Sequence, residues 1–217
     1  PSDDQSIYIH MCEIDFSDSR VDGTDPVVKI YSSHFSKCTD EGNGGAIYMT
    51  TANILQNYKD PIEIVNCDFI SCSSNNGGAI YIKSVDVWHL FNIQKCTFTS
   101  NSVKSEIATK DANGGAIYIE SECATFKITE CLFNSNSNAN FGGAIYFSST
   151  FESPKQIDGD YTLYIYDCIF KTNTLIVKTS NQNNAISDAS DIYLTIQNIE
   201  PSKPIEINAC EFIGQPT

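Results

Sequence analysis

Several residue types are scarce in this 217-residue sequence, and each scarcity excludes a class of function. Only one of the 13 basic residues is an arginine (Arg20), and they are outnumbered by 27 acidic residues, for a formal net charge of −14. A chain this acidic repels nucleic acid phosphates and anionic membrane surfaces. No run of 18 apolar residues occurs, so we expect no direct membrane span. We therefore expect neither nucleic acid nor an anionic membrane surface as a partner.

Catalytic and metal-binding motifs are also missing. The three histidines share no spacing, and no Ser-His-Asp arrangement can be assembled around them. The nine cysteines include no C-x-x-C pair of the kind that ligates zinc. The sequence thus predicts no metal and no cofactor. None of the 19 asparagines lies in an Asn-x-Ser/Thr sequon, which favours a bacterial or non-glycosylating setting.

What the sequence does contain is a repeat built on Gly-Gly-Ala-Ile-Tyr. Four copies occupy residues 43–49, 76–82, 113–119 and 141–147. Repetition of this kind is typical of solenoids, in which each unit solves the same packing problem as its neighbour. We assign the paired glycines a structural role, because they allow a tight or left-handed turn into a strand. These glycines are Gly44, Gly45, Gly77, Gly78, Gly114, Gly115, Gly142 and Gly143.

A second repeat, apolar-x-Ile-x-x-Cys-x-Phe, lies between the glycine pairs. Apolar residues alternate, skip one position and alternate again, which predicts two short strands joined by a corner. Asn66, Glu130 and Asp167 occupy the predicted corner. The core phenylalanine recurs with a spacing of roughly 30 to 40 residues, so the strands keep their length while loops vary. Its copies are Phe35, Phe69, Phe98, Phe133, Phe170 and Phe212.

Together the two repeats predict an all-β fold, a single-stranded parallel β-helix (solenoid) of about six coils with three short strands in each coil. We expect equivalent side chains of successive coils to stack directly on one another at the inter-strand spacing of about 4.8 Å. Residues 1–217 are interpreted as a single β-helix domain that is a module of a longer product, since the chain begins at Pro1. The raw ends of such a solenoid would be covered by caps, further coils or other subunits.

The repeats resemble those of the chlamydial polymorphic outer membrane proteins, the Pmp family. The family hallmarks are GGA[ILV], present here in all four glycine copies, and F-x-x-N, which is completed by Asn101, Asn136 and Asn173. The resemblance implies a right-handed β-helical passenger domain, located extracellularly or on the cell surface and often linked to adhesion. The sequence departs from the family where Cys38 and Cys72 replace the asparagine of F-x-x-N.

Two sets of residues are predicted to stack inside the solenoid. Asn101, Asn136 and Asn173 should form an inward column whose amides bond to the coils above and below. A column of buried free thiols is expected at Cys67, Cys96, Cys131, Cys168 and Cys210, because side chains in register point the same way and pair poorly as disulfides. Cys38 and Cys72 lie near a turn, where a disulfide is possible.

One outward column is the candidate binding site. If Ile47 and Met49 face inward, alternation along the strand turns Tyr48 outward, and the same holds in every Ile-Tyr strand. The resulting strip would contain Tyr48, Tyr81, Tyr118, Tyr146 and Tyr193, with Tyr8 at its beginning. Tyrosine is flat with a polar tip and suits contact with protein or carbohydrate. The alternative interpretation is that loops cover this face, or that tyrosine is present because it favours strands.

Three functions remain open on these observations. The first is a non-enzymatic, surface-displayed adhesin or passenger module with a protein or carbohydrate ligand. The second is a structural solenoid segment that stacks on further coils or on other subunits at its open ends. The third is a polysaccharide-active enzyme, since pectin-cleaving lyases and hydrolases use this fold. Such enzymes set paired carboxylates, often with Arg or Lys, on one outward face, and the single arginine argues against this alternative.

Overall fold

In the computed structural model the chain forms a parallel β-helix, and the predicted fold class is confirmed. The structure describes residues 12–15, 28–50, 61–84, 90–103, 112–122, 124–138, 141–150, 163–175, 191–197 and 205–214. Among these residues every strand pairs in parallel with the equivalent strand of the next coil, and no helix is present. In that same part of the chain, no helix is long and apolar enough to cross a membrane.

Three six-stranded sheets run along the stack. The first contains β1 (Cys12–Asp15), β4 (Ile47–Thr50), β8 (Ile80–Ser84), β12 (Ile117–Ser121), β16 (Ile145–Thr150) and β20 (Ile192–Gln197). The second contains β2 (Lys29–Tyr31), β5 (Ile62–Val65), β9 (Leu90–Gln94), β13 (Thr125–Thr129), β17 (Leu163–Tyr166) and β21 (Ile205–Asn208). The third contains β3 (His34–Ser36), β6 (Asp68–Ile70), β10 (Thr97–Thr99), β14 (Leu132–Asn134), β18 (Ile169–Lys171) and β22 (Glu211–Ile213). Six coils with three strands each match the prediction.

A fourth, smaller sheet was not predicted. It is formed by the two-residue strands β7 (Ser73–Ser74), β11 (Ser102–Val103), β15 (Ser137–Asn138) and β19 (Thr174–Leu175). These strands follow the F-x-x-N segment and lead into the glycine pair. They are too short and too polar to show the alternation from which a strand is recognised in sequence.

The core consists of side-chain columns in register. The rings of Phe35, Phe69, Phe98, Phe133, Phe170 and Phe212 stack with centroids 4.8–5.0 Å apart and planes within 9° of parallel. Isoleucine columns of the first two sheets complete the interior, as in the register Ile47–Ile80–Ile117–Ile145. A fully buried apolar side chain of this size contributes about 1.5–3 kcal/mol, and here each one is buried by the neighbouring coils.

Residues in the left-handed backbone conformation form the corners between sheets. Eleven non-glycine residues have positive φ, between 49° and 57°, and they fall into two columns. The corner between the second and third sheets contains the predicted Asn66, Glu130 and Asp167. At this corner in each of the first five coils the backbone amide donates to the next coil, as when Asn66 donates to the carbonyl of Gln94 at 2.9 Å. The skipped position in the sequence pattern is therefore a corner in the structure.

The two glycines of each pair serve different purposes. The first, Gly44, Gly77, Gly114 or Gly142, has φ between 60° and 70°. At Gly45, Gly78 and Gly115, a Cβ would lie 2.0–2.3 Å from the carbonyl oxygen of the equivalent glycine in the next coil. The second glycine is therefore required because successive backbones approach closely there. The sequence predicted the turn but not this contact between coils.

Candidate functional site

The tyrosine column, defined as Tyr48, Tyr81, Tyr118, Tyr146 and Tyr193, lies on the outer side of the first sheet. Strand register places these five residues side by side in successive coils. The flanking positions Ile47 and Met49 are fully buried, so alternation along the strand directs Tyr48 outward. The column is thus held by a rigid sheet. Tyr8 lies outside the described residues.

Within the column the rings stack face to face. Centroid distances are 5.4, 4.8, 4.8 and 5.6 Å from Tyr48 to Tyr193, with interplanar angles of 8–17°. Each interior ring therefore uses both faces on its neighbours. What the column presents outward is a row of ring edges and hydroxyl groups at the coil spacing.

Exposure is uneven along the column. Tyr81 is only 7% exposed, whereas Tyr48, Tyr118, Tyr146 and Tyr193 are half-buried. Burial raises the pKa of Tyr81, and the nearby Glu120 carboxylate raises it further, so the hydroxyl stays protonated. That hydroxyl donates to Glu120 Oε2 at 3.3 Å. Any contact with a ligand must therefore come mainly from the four half-buried tyrosines.

A polar column runs beside the tyrosines, two residues further along each strand. Lys83 and Glu120 belong to it and form an ion pair at 3.0 Å. Near the C-terminal end, Phe141 stacks on Tyr193 with a centroid distance of 4.3 Å. The strip thus combines aromatic edges, hydroxyl groups and a balanced charge pair. The described residues contain no cluster of three or more His, Cys, Asp or Glu side chains that could hold a metal ion.

Inside the solenoid, the three asparagines of F-x-x-N form a buried column. The Nδ2 of Asn136 donates to Asn173 Oδ1 and to the carbonyl of Phe98, both at 2.9 Å. Cys72 stands in the same column one coil before Asn101, whose Oδ1 accepts the backbone N–H of Cys72 at 2.9 Å. At the other end, Asn173 Nδ2 donates to Asp191 Oδ1 at 2.8 Å. From Cys72 to Asn173, each coil is therefore joined to the next by a side-chain amide.

Sequence reasoning missed a second asparagine column. Asn76 Nδ2 donates to Asn43 Oδ1 at 2.9 Å, and the backbone N–H of Asn113 donates to Asn76 Oδ1 at 3.1 Å. The next coil places Phe141 in this position. The Oδ1 of Asn113 is buried and accepts no hydrogen bond from the described residues. The signal was present in the sequence, since Asn precedes the glycine pair in three of four copies.

The cysteines of the predicted thiol column are free, and four of them are buried. Each Sγ lies 3.4–3.8 Å from a carbonyl oxygen of the preceding coil, as between Cys96 and Ile64. Cys67, Cys96, Cys131 and Cys168 are buried, whereas Cys210 in the last coil is half-exposed.

Cys38 and Cys72 are also free thiols, so the disulfide considered possible for them is absent from the structure. The two residues occupy equivalent positions in adjacent coils. The Cys72 Sγ is directed to the carbonyl oxygen of Phe35 at 3.7 Å and the Cys38 Sγ to that of Ser36 at 3.8 Å. Side chains that stand in register point the same way, which does not meet the geometry of a disulfide.

Fold and columns together define a parallel β-helical repeat protein. Two of its segments, residues 95–120 and 130–148, match the Chlamydia polymorphic membrane protein repeat. The chain therefore carries repeats of the Pmp type, and the resemblance seen in its motifs is confirmed. Comparison with curated proteins and with solved structures finds no significant match.

Proposed function

We propose that this chain is a non-enzymatic β-helical passenger displayed at a cell surface, and that its tyrosine column binds a protein ligand. The proposal rests mainly on the observation that five stacked tyrosines form one rigid strip on an outer face. The match to a membrane protein repeat supports a surface location. Tyrosine offers a large amphipathic contact area with few rotatable bonds, which suits protein recognition.

Ring orientation favours protein over carbohydrate as the ligand. Platforms that bind a sugar by stacking need an accessible ring face, whereas the faces of Tyr81, Tyr118 and Tyr146 are covered by their neighbours. Edges and hydroxyl groups remain, and these can pack against side chains and accept or donate hydrogen bonds. Carbohydrate remains the second ligand class to test.

Charge arrangement supports the absence of catalysis. Carboxylates on the outside of the solenoid pair with lysines of the preceding coil, as in Lys29–Glu63 at 3.6 Å, Lys83–Glu120 at 3.0 Å and Lys95–Glu130 at 3.7 Å. Each of these carboxylates is thus engaged in a charge pair that joins two coils. Release of reducing ends from polysaccharides by the purified chain would contradict this part of the proposal.

Adherence of beads coated with the chain to cultured cells tests the proposal. The double variant Tyr118→Ser/Tyr146→Ser should lose most adherence, because it removes two of the half-buried rings. The matched control is Tyr31→Ser/Tyr166→Ser, which removes two exposed tyrosines of the second sheet, outside the column. Equal adherence of both variants and the unmodified chain would refute the binding role.

Treatment of the cells identifies the ligand class. Protease treatment should abolish adherence and glycosidase treatment should leave it unchanged if the ligand is protein. The reverse pattern would show that the column recognises carbohydrate. Circular dichroism of each variant establishes that the β-helix is intact before adherence is compared.

A further inference from the structure

The two ends of the phenylalanine column differ in exposure. Phe35 in the first coil is 7% exposed, whereas Phe212 in the last coil is 52% exposed. Phe170, one coil earlier, is fully buried, and Phe212 stacks on it at 5.0 Å. The same change occurs from the fully buried Ile165 to its partner Ile207, which is 40% exposed. The core columns thus end in an apolar face at the C-terminal coil.

Two backbone amides at this end, those of Ala209 and Gly214, lie where the equivalent amides of earlier coils pair with the next coil. In the five preceding coils the amide of the first corner residue donates to the next coil, as Asp167 does to the carbonyl of Asn208 at 3.2 Å. Ala209 is the equivalent residue, with φ of 52°. At the second corner Thr172 donates to the carbonyl of Ile213, and Gly214 is next in that column. Neither Ala209 nor Gly214 donates its amide to a described residue.

Acidic side chains flank the end face. The three lysine ion pairs of the described residues join a base in one coil to an acid in the following coil: Lys29–Glu63, Lys83–Glu120 and Lys95–Glu130. His34 lies beside Asp68 of the following coil in the same way, at 3.7 Å. Glu206 and Glu211 of the last coil have Tyr164 and Ile169 beside them in the preceding coil, and neither neighbour is a cation. No ion pair joins either carboxylate to another described residue.

We propose that the C-terminal coil is the docking face for one further parallel β-coil, tethered to this chain, that places apolar side chains over Ile207 and Phe212 and Lys or Arg beside Glu206 and Glu211. Such a coil would continue each core column and accept the amides of Ala209 and Gly214. Its basic residues would neutralise the two carboxylates. A tethered coil is favoured because an isolated coil cannot bury enough surface to fold, whereas a tether raises its effective concentration.

A second copy of the chain fits this face less well. Two copies joined end to end through a two-fold axis would bring Glu206 and Glu211 of one near those of the other, where like charges repel. A head-to-tail contact would need an open first coil, but Phe35 at that end is already covered. The charge of the C-terminal face and the burial of Phe35 at the other end therefore both favour a further, basic coil over a second copy of the chain.

An appended coil tests the proposal on the full chain. The probe is a second copy of residues 113–138 placed after Thr217, in which Lys127 already occupies the column of Glu206, with Leu132→Lys in the column of Glu211. Hydrogen exchange at the amides of Ala209 and Gly214 should slow by about tenfold or more relative to the unmodified chain. The charge control carries Lys127→Glu and Leu132→Glu in the copy and should slow exchange less.

A third fusion separates docking from mere attachment. The copy with Phe133→Asp has the same length but a charge at the inward position, and it should leave exchange at both amides unchanged. The proposal is overturned if the basic copy gives no protection at Ala209 and Gly214, or if the acidic copy protects them equally. It is also overturned if sedimentation shows the unmodified chain dimerising and Phe212→Lys abolishes the dimer.

Discussion

Asn136 Oδ1 accepts two hydrogen bonds from Asn101, one from its backbone N–H and one from its Nδ2, each at 3.0 Å. Asn136 itself repeats the arrangement with Asn173 in the next coil. One buried amide therefore satisfies the backbone of its neighbour as well as its side chain. This relationship makes the asparagine column a structural link between coils.

Replacing Asn136 by alanine should lower the free energy of unfolding by about 3 kcal/mol or more. The change leaves the backbone N–H of Asn101 and the carbonyl of Phe98 buried without these partners, and each such group costs about 1–3 kcal/mol. Urea denaturation measures the difference. Asn92→Ala, at an outward half-buried position, is the control and should change stability by less than about 0.5 kcal/mol. Equal losses for the two variants would contradict a role for the column.

Cys72→Asn should stabilise the chain by about 1 kcal/mol. The Cys72 thiol is directed to the carbonyl of Phe35 at 3.7 Å, where an asparagine amide would make the stronger bond that Asn101 makes to Phe69 at 3.0 Å. Cys67→Asn is the matched control, because that column has apolar thiols and burial of an amide there should destabilise by about 2 kcal/mol. Thermal unfolding distinguishes the two signs, and destabilisation by Cys72→Asn would contradict the prediction.

Gly78→Ala should destabilise the chain by about 4 kcal/mol or prevent folding. The added Cβ would lie 2.2 Å from the carbonyl oxygen of Gly115 and 2.7 Å from that of Ser102, and backbone atoms cannot move aside without breaking the register. Gly214→Ala is the control, since a Cβ added at Gly214 would meet no atom within 4 Å among the described residues. Denaturant titration of both variants checks the contrast. A mild loss at Gly78 would mean that the coils are less closely spaced there.

Asp191→Asn should stabilise the chain at neutral pH and have little effect in acid. Burial raises the pKa of Asp191, and the hydrogen bond from Asn173 offsets only part of this rise. The folded chain therefore binds the proton more tightly than the unfolded chain. The contribution of the protonated Asp191 carboxyl to the free energy of unfolding is complete below the pKa of about 3.9 that the residue has in the unfolded chain. It is lost as the pH rises through the pKa of Asp191 in the folded chain.

Urea denaturation at about pH 7 should show a higher free energy of unfolding for Asp191→Asn than for the unmodified chain, and the difference should disappear at about pH 3. Asp40→Asn, in a half-exposed loop position, serves as the reference. A gain that is the same at both pH values would show that the carboxyl does not titrate differently on folding.

Alkylation of native protein should modify Cys210 at least about tenfold faster than Cys131. Cys131 is buried, and burial raises the pKa of its thiol, so the reactive thiolate is both scarce and inaccessible. Cys210 belongs to the same column but is half-exposed at the C-terminal coil. Mass spectrometry after short pulses of iodoacetamide measures the order. Simultaneous modification of both residues would indicate that the stack opens as a unit.

Much of this architecture could be predicted from the residues, because stacked coils repeat the same environment and therefore the same letters. The spacing of Phe69, Phe98 and Phe133 predicted a core column, and the skipped position at Glu130 predicted a corner. Contacts between coils were harder to predict from the sequence, since they depend on how closely two backbones approach. The role of Gly78 against Gly115 and the column through Asn76 both belong to this class.

The candidate site was predicted only in outline. Alternation placed Tyr81 outward, but its burial between Tyr48 and Tyr118 depends on ring stacking that sequence spacing does not determine. Cys72 was recognised as a departure from F-x-x-N. That its backbone still joins the asparagine column through Asn101 could be seen only from the hydrogen bonds.

Strand register has a consequence for how such a chain changes length between generations. Ile47 pairs with Ile80, and Ile80 pairs with Ile117, so each coil meets nearly the same partners above and below. Unequal recombination that deletes or duplicates a whole repeat would join Ile47 directly to an equivalent isoleucine and preserve every column. Descendants of one gene could then display tyrosine strips of different reach while keeping an identical cross-section.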